Sequence, residues 1–277
     1  MNLRAAVGAQ EPITWIDAGG TRLAAMRRGT GTPVLCLHAI GHGARDFEAL
    51  AARIGDGFEI VALDWPAQGA SPDDGIAAAP DHYADLAVKA MDALGIARAI
   101  LLGNSVGGAA ALRIAARHPQ RVQALVLCNS GGLAGVTATG RFVIRRLAAF
   151  FGAGERRRGW YRWAFGVYYR QVLVRPPSFA QRARIVASAY EIAKPLRQAW
   201  ESFARPGVDV RALVPRVTCP VWLAWAKDDK IIPWKDSKRA ARDFPHARVQ
   251  LFEGSHAAFL EDPDRFAEAF RLFASSI

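Results

Sequence analysis

Six short runs of the chain are apolar or nearly so throughout. They are Val34-Leu35-Cys36-Leu37, Ile60-Val61-Ala62-Leu63, Ala99-Ile100-Leu101-Leu102, Ala124-Leu125-Val126-Leu127-Cys128, Val221-Trp222-Leu223-Ala224-Trp225 and Val249-Gln250-Leu251-Phe252, the last with one polar interruption. Runs of this length without polar alternation predict strands covered on both faces, and so a parallel sheet. Helical stretches fall between them: one over about residues 80–94, and one from Ala109 to Ala116. Strand and helix alternate along the chain, which predicts an α/β architecture with functional groups at the carboxyl ends of the strands.

Residues 133–206 break this rhythm. They predict several helices and no strand, interrupted at Arg175-Pro176-Pro177. Inserted between the strands ending at Cys128 and starting at Val221, this segment is expected to cover the strand ends as a lid. The expected core is then residues 1–132 with 207–277.

Charge sharpens that boundary. The 277 residues carry a net charge of +11. Residues 133–206 hold 14 Lys+Arg against 3 Asp+Glu; of the totals of 36 and 25, that leaves 22 and 22 elsewhere. The whole excess therefore sits on the insertion. No stretch approaches the roughly 18 apolar residues of a membrane span. Met1-Asn2-Leu3-Arg4-Ala5-Ala6-Val7-Gly8 contains no signal-type apolar region. Cys36, Cys128 and Cys219 lie in or beside the apolar runs and are expected as reduced core thiols in a cytoplasmic protein. Their spacing matches no metal site, and no organic cofactor is required.

The chemistry concentrates at Gly103-Asn104-Ser105-Val106-Gly107, between a strand and a helix. A serine on such a tight turn has its hydroxyl pushed outward. Glycine at 103 and 107 answers the close approach of strand and helix. The N–H groups opening the following helix suit a developing oxyanion. Serine needs a base, and a histidine needs a carboxylate to orient it. Of six histidines, His118 ends a helix, and His82 and His246 lie in polar stretches. His38 is expected to hold its loop in shape, while His42 is expected to line the pocket. His256, in the loop after the last strand, is the expected base. Asp228 and Asp229, after the Val221–Trp225 strand, are both candidates for the acid.

These motifs resemble those of the α/β-hydrolase superfamily, in the form with an inserted helical cap: a mostly parallel sheet with helices on both faces. The resemblance spans the His38 loop, the Asp64…Gly69…Ser71 segment, the Ser105 turn, the aspartate turn and Gly254-Ser255-His256. The family's Gly-x-x-Asp spacing falls on Ala226-Lys227-Asp228-Asp229, which implies Asp229 as the acid. It also implies that the N–H groups of Val106 and Ile40 form the oxyanion hole, although Ala39 stands where the family has glycine.

The resemblance implies a hydrolase of small carboxylic esters, acting through an acyl-enzyme on Ser105. Gly103-Asn104-Ser105 with Asn129-Ser130-Gly131-Gly132-Leu133 is also similar to carbon–carbon bond hydrolases of ring-fission products, in which a cap arginine binds the substrate acid. Ala257 departs from their usual tryptophan. A non-catalytic receptor on the same fold is the reading from another class.

Asn104 and Trp163 are expected beside His42 at the substrate. On the insertion, Phe142, Leu147, Phe150 and Phe151 are expected to form one apolar stripe with Arg141, Arg145 and Arg146 beside it. An inward arginine would suit an anionic small molecule, and outward ones would give weak attraction to a membrane surface. Nucleic acid is not expected, because no motif for it accompanies the charge.

Overall fold

The computed structural model describes residues 13–277, so the leader reading of residues 1–8 falls outside the described residues. The strands are β1 (Thr14–Asp17), β2 (Arg22–Gly29), β3 (Gly31–Leu37), β4 (Gly57–Leu63), β5 (Ala99–Asn104), β6 (Val122–Cys128), β7 (Val221–Ala226) and β8 (Ala247–Phe252). They form one sheet in the order β1-β2-β4-β3-β5-β6-β7-β8. From β4 to β8 every neighbouring pair is parallel. β1 and β2 pair antiparallel with each other, and β2 with β4.

The core helices are α1 (Glu48–Ile54), α2 (Pro80–Ala93) and α3 (Val106–Arg117). Four more lie in the insertion: α4 (Ala138–Glu155), α5 (Tyr161–Val172), α6 (Phe179–Ala187) and α7 (Ala193–Phe203). The chain returns to the core with α8 (Trp234–Ala241), α9 (Ala258–Glu261) and α10 (Pro263–Ala274). α1 packs on α10 and α2 on α3, one pair for each sheet face. Central strands β5 and β7 are buried at every residue, which is why their sequences carry no alternation. Edge strand β8 is half exposed.

Aromatic residues of the insertion extend the main hydrophobic core. Phe151, Tyr161, Phe165 and Tyr169 are buried, and Phe150, Tyr168 and Trp200 pack against them. α4 and α7 make the most extensive helix–helix contact in the molecule. The insertion returns to the core beside α3, where buried Arg113 donates to Gly207 O at 2.6 Å and pairs with Asp81 of α2.

Since β3 to β8 run parallel, their carboxyl ends share one edge. The loops after Leu37, Leu63, Asn104, Cys128, Ala226 and Phe252 all emerge there, beneath the insertion.

Candidate active site

Ser105 lies between β5 and α3 at φ +55° and ψ −116°, a left-handed conformation that costs a non-glycine residue of order 1–3 kcal/mol. Tertiary bonds hold it. Its N–H donates to Cys128 O at 3.1 Å, and its carbonyl accepts from Ala109 N at 3.1 Å and Gly131 N at 2.9 Å. A Cβ at Gly103 would stand 2.5 Å from Gly107 O, and one at Gly107 would stand 2.1 Å from Leu37 O. No side chain fits at either position, so the glycines let α3 close onto the sheet.

His256 and Asp229 converge from two further strand ends. The carboxylate of Asp229 can only accept, so His256 Nδ1–H donates to Asp229 Oδ2 at 3.0 Å, and Nε2 is left for the cavity. Asp229 Oδ1 accepts from Ile231 N at 2.8 Å and Ile232 N at 3.0 Å. Asn129 Nδ2 donates to Oδ2 at 2.7 Å. A fully buried carboxylate is thereby supplied with four donors. Asp228 is exposed.

Ser105 and His256 line one cavity of about 680 Å³ between the strand ends and the insertion. Val106 and Ile40 line it too. Val106 opens α3, so its N–H has no intrahelical acceptor. The Ile40 loop is tied down on both sides. Gly41 N donates to Gln68 Oε1 at 2.7 Å, while Trp65 N donates to His38 Nε2 at 3.0 Å. His38 is fully buried, and desolvation pushes its pKa down, so it stays neutral as a bracket for the loop.

His42 also lines the cavity, with Nδ1 bound to Asp46 Oδ2 at 2.5 Å. Asp46 is buried and takes the side-chain amide of Gln181, from α6, on its other oxygen. Most of the remaining lining is apolar, including Ile144, Leu147, Val172, Leu196 and Phe203. Among the described residues, the charged ones lining the cavity are Lys230 and Asp236, and none is an arginine. Tyr168 and Tyr169 face the same space, and burial pushes both phenols well above their ordinary value.

Two expected substrate residues lie elsewhere. Asn104 is fully buried behind the turn, and its Nδ2 donates to Cys128 O and His256 O, each at 2.9 Å. It ties strand ends together and does not reach the cavity. Trp163 is 75% exposed. The buried face of α5 is Tyr161, Phe165, Tyr169 and Val172, and Trp163 stands about 200° around the helix from Tyr161. The expected α4 stripe divides for the same reason. Phe142 and Phe151 are nine residues apart, about two and a half turns, so Phe151 is buried and Phe142 is 64% exposed.

One further residue was not anticipated. Glu261, fully buried on α9, accepts Val174 N and Arg175 N at 3.0 Å or less on Oε1, and Ser255 N at 2.6 Å on Oε2. Val172 O takes the N–H of His256 at 3.0 Å, and Gln171 O takes the hydroxyl of Ser255 at 2.8 Å. The carboxyl end of α5 is thus bonded directly to the histidine loop. Burial raises the Glu261 pKa, opposed by its backbone donors.

A sequence profile described as the alpha/beta hydrolase fold matches residues 32–263. The chain is 29% identical over 278 residues to a 2-hydroxymuconate semialdehyde hydrolase of Pseudomonas putida, covering 93% of this chain and 92% of that one. Two solved structures superpose with a TM-score of 0.81. One is an esterase from Exiguobacterium antarcticum, at 20% identity over 95% of this chain and 99% of that one. The other is a 2-hydroxy-6-oxo-6-phenylhexa-2,4-dienoate hydrolase from Rhodococcus, at 21% identity over 95% and 98%.

Proposed function

The chain belongs to the α/β-hydrolase fold family, and from that premise we propose that it is a serine hydrolase cleaving a small carboxylic ester with an apolar acyl group. Ser105 Oγ attacks the ester carbonyl and passes its proton to His256 Nε2. Asp229 holds the imidazole tautomer and balances the imidazolium. The oxyanion is held by the N–H groups of Val106 and Ile40; loss of one such donor typically costs about 10²–10³ in rate. The imidazolium then protonates the departing alkoxide, leaving the acyl group on Ser105. Water, deprotonated by His256, attacks the acyl carbonyl; the acid leaves and Ser105 recovers its proton.

The observation that carries this reading is the placement of Ser105 and His256 on one apolar cavity, with the imidazole braced by a fully buried aspartate. The apolar walls favour an uncharged substrate, and 680 Å³ lies within the usual range for small-molecule pockets. The 133–206 insertion acts as the cap that excludes water from the acyl-enzyme.

Carbon–carbon hydrolysis of ring-fission acids is the second reading, favoured by the Pseudomonas putida relative. Among the described residues, the cavity offers such an acid Lys230 and no arginine. Initial rates on p-nitrophenyl esters of increasing chain length, set beside a ring-fission dienoate, test the choice. Ester turnover at least tenfold faster in kcat/KM supports the first reading, and the reverse order overturns it.

A further inference from the structure

The insertion turns a second set of residues away from the cavity. On α4, Phe142, Arg145 and Arg146 lie at helical spacing on the exposed face. On α5, Trp163, Val167 and Arg170 do the same, with Trp160 at its start. Much of this apolar surface faces solvent: Phe142 is 64%, Val143 50%, Trp160 54% and Trp163 75% exposed, although Trp160 also makes ring contacts with Phe150 and Tyr161. Large apolar groups exposed together in this way mark a docking surface.

The accompanying charge is equally one-sided. Arg157 and Arg197 pair with glutamates of the insertion. Arg145, Arg146, Arg158, Arg162 and Arg170 have no carboxylate partner among the described residues. The cavity opens beside this surface. Thr137, Thr139 and Val143 line it and are exposed, as are Lys230 and Asp236, so the first two turns of α4 form one side of its mouth.

We infer that the outer face of α4 and α5 docks on an anionic lipid bilayer, with Phe142, Trp160 and Trp163 entering the interface and the unpaired arginines on the headgroups. Aromatic and aliphatic side chains interleaved with arginine suit the boundary between headgroups and acyl chains. Several free cations beside them add an attraction that depends on anionic lipid. A second copy of the chain is a poor occupant, since it would set arginine against arginine. Nucleic acid would use the aromatic rings for stacking, but Val143 and Val167 offer no π face. Docking places the mouth of the cavity on the membrane, so the substrate class becomes an amphiphilic ester drawn from it. That last step rests on the ester-hydrolase reading; the docking does not.

The test therefore measures binding without turnover. Ser105→Ala protein is sedimented with large vesicles of phosphatidylcholine, with and without about one-third phosphatidylglycerol. The expected bound fraction is at least tenfold higher with phosphatidylglycerol at about 50 mM salt, falling at least fivefold at about 0.5 M as screening shortens the reach of the charges. Arg145→Glu/Arg146→Glu removes the preference and, in the Ser105 background, leaves hydrolysis of a soluble short-chain ester unchanged. Trp163→Ser weakens binding several-fold with an unchanged circular dichroism spectrum. Equal, weak sedimentation with both vesicles overturns the inference. So does tighter binding to an RNA oligomer than to anionic vesicles, or a dimer in solution that Trp163→Ser dissolves. Failure here leaves the hydrolase reading standing, and absence of esterase activity leaves the docking result intact.

Discussion

Asn129 donates its side-chain amide to Asp229 Oδ2 at 2.7 Å, the same oxygen that receives the Nδ1–H of His256. Its carbonyl oxygen accepts from Ala226 N at 3.3 Å, and its backbone takes a positive φ of +45°. The amide thus stands between the ends of β6 and β7 and fixes the carboxylate that would orient the base. Loss of a hydrogen bond to a charged group costs about 1.5–3 kcal/mol. Asn129→Ala is expected to lower kcat roughly ten- to a hundredfold, with a much smaller change in KM. Steady-state kinetics on one ester check the split.

The two neighbouring aspartates make a sharper contrast. Asp229→Asn offers His256 a mixed donor and acceptor in place of a carboxylate and permits the wrong tautomer, a change worth about 10⁴ in kcat in a comparable triad. Asp228 is exposed, and substitution of such a residue stays within about 0.5 kcal/mol, or roughly twofold in rate. Parallel kinetics of Asp228→Asn and Asp229→Asn check the assignment.

How much of this was legible in the chain follows from what each residue touches. β3 to β7 announce themselves because strands covered on both faces must be apolar where they are buried, whereas β8 reads the same way although it is a half-exposed edge strand. β1 and β2 do not: Arg22-Leu23-Ala24-Ala25-Met26-Arg27-Arg28-Gly29 is a half-polar strand near the sheet edge, and its antiparallel pairing with β1 and β4 departs from the alternating strand–helix pattern. Ser105 and its glycines are readable because the residues that meet the steric demand stand within five positions of one another, even though Leu37 O imposes part of it on Gly107. Asn129 and Glu261 are not, because each acts on backbone or side chains about 100 residues away in sequence. Trp163 shows the limit of composition: aromatic residues at helical spacing do not reveal which side of the helix is covered. The strand-end position of Asn129, next to the strand that delivers Asp229, was the one available signal.

Glu261 ties α5 to the histidine loop through three backbone donors. Glu261→Gln sets its amide N–H against one of them, and an unmet buried donor costs about 1–3 kcal/mol. Urea unfolding is expected to show a loss of that size, with a fall in kcat as the His256 loop loosens. The pH dependence has a definite sign. Burial raises the folded pKa of Glu261 above its ordinary 4.5, so its protonation favours the folded state. That contribution is complete below about pH 4.5 and fades as pH rises through the raised value. The glutamine variant lacks it, so the stability gap between the two proteins is expected to narrow with rising pH across that window.

His42 is held by Asp46, which Gln181 of α6 braces from the other side. Its imidazole faces the cavity but lies outside the proposed proton path. His42→Ala is expected to act mainly on KM, raising it roughly three- to thirtyfold through a lost polar contact of about 0.5–2 kcal/mol. An equal fall in kcat with KM unchanged would instead make His42 a participant in the chemistry.

The most direct measurement of the proposed acyl-enzyme is the intact mass of the protein after reaction with a fluorophosphonate ester. One adduct is expected, mapped by peptide sequencing to Ser105, absent from Ser105→Ala, and slowed by several orders of magnitude in His256→Ala. An adduct formed equally well on Ser105→Ala, or ester turnover retained by that variant, would contradict the account.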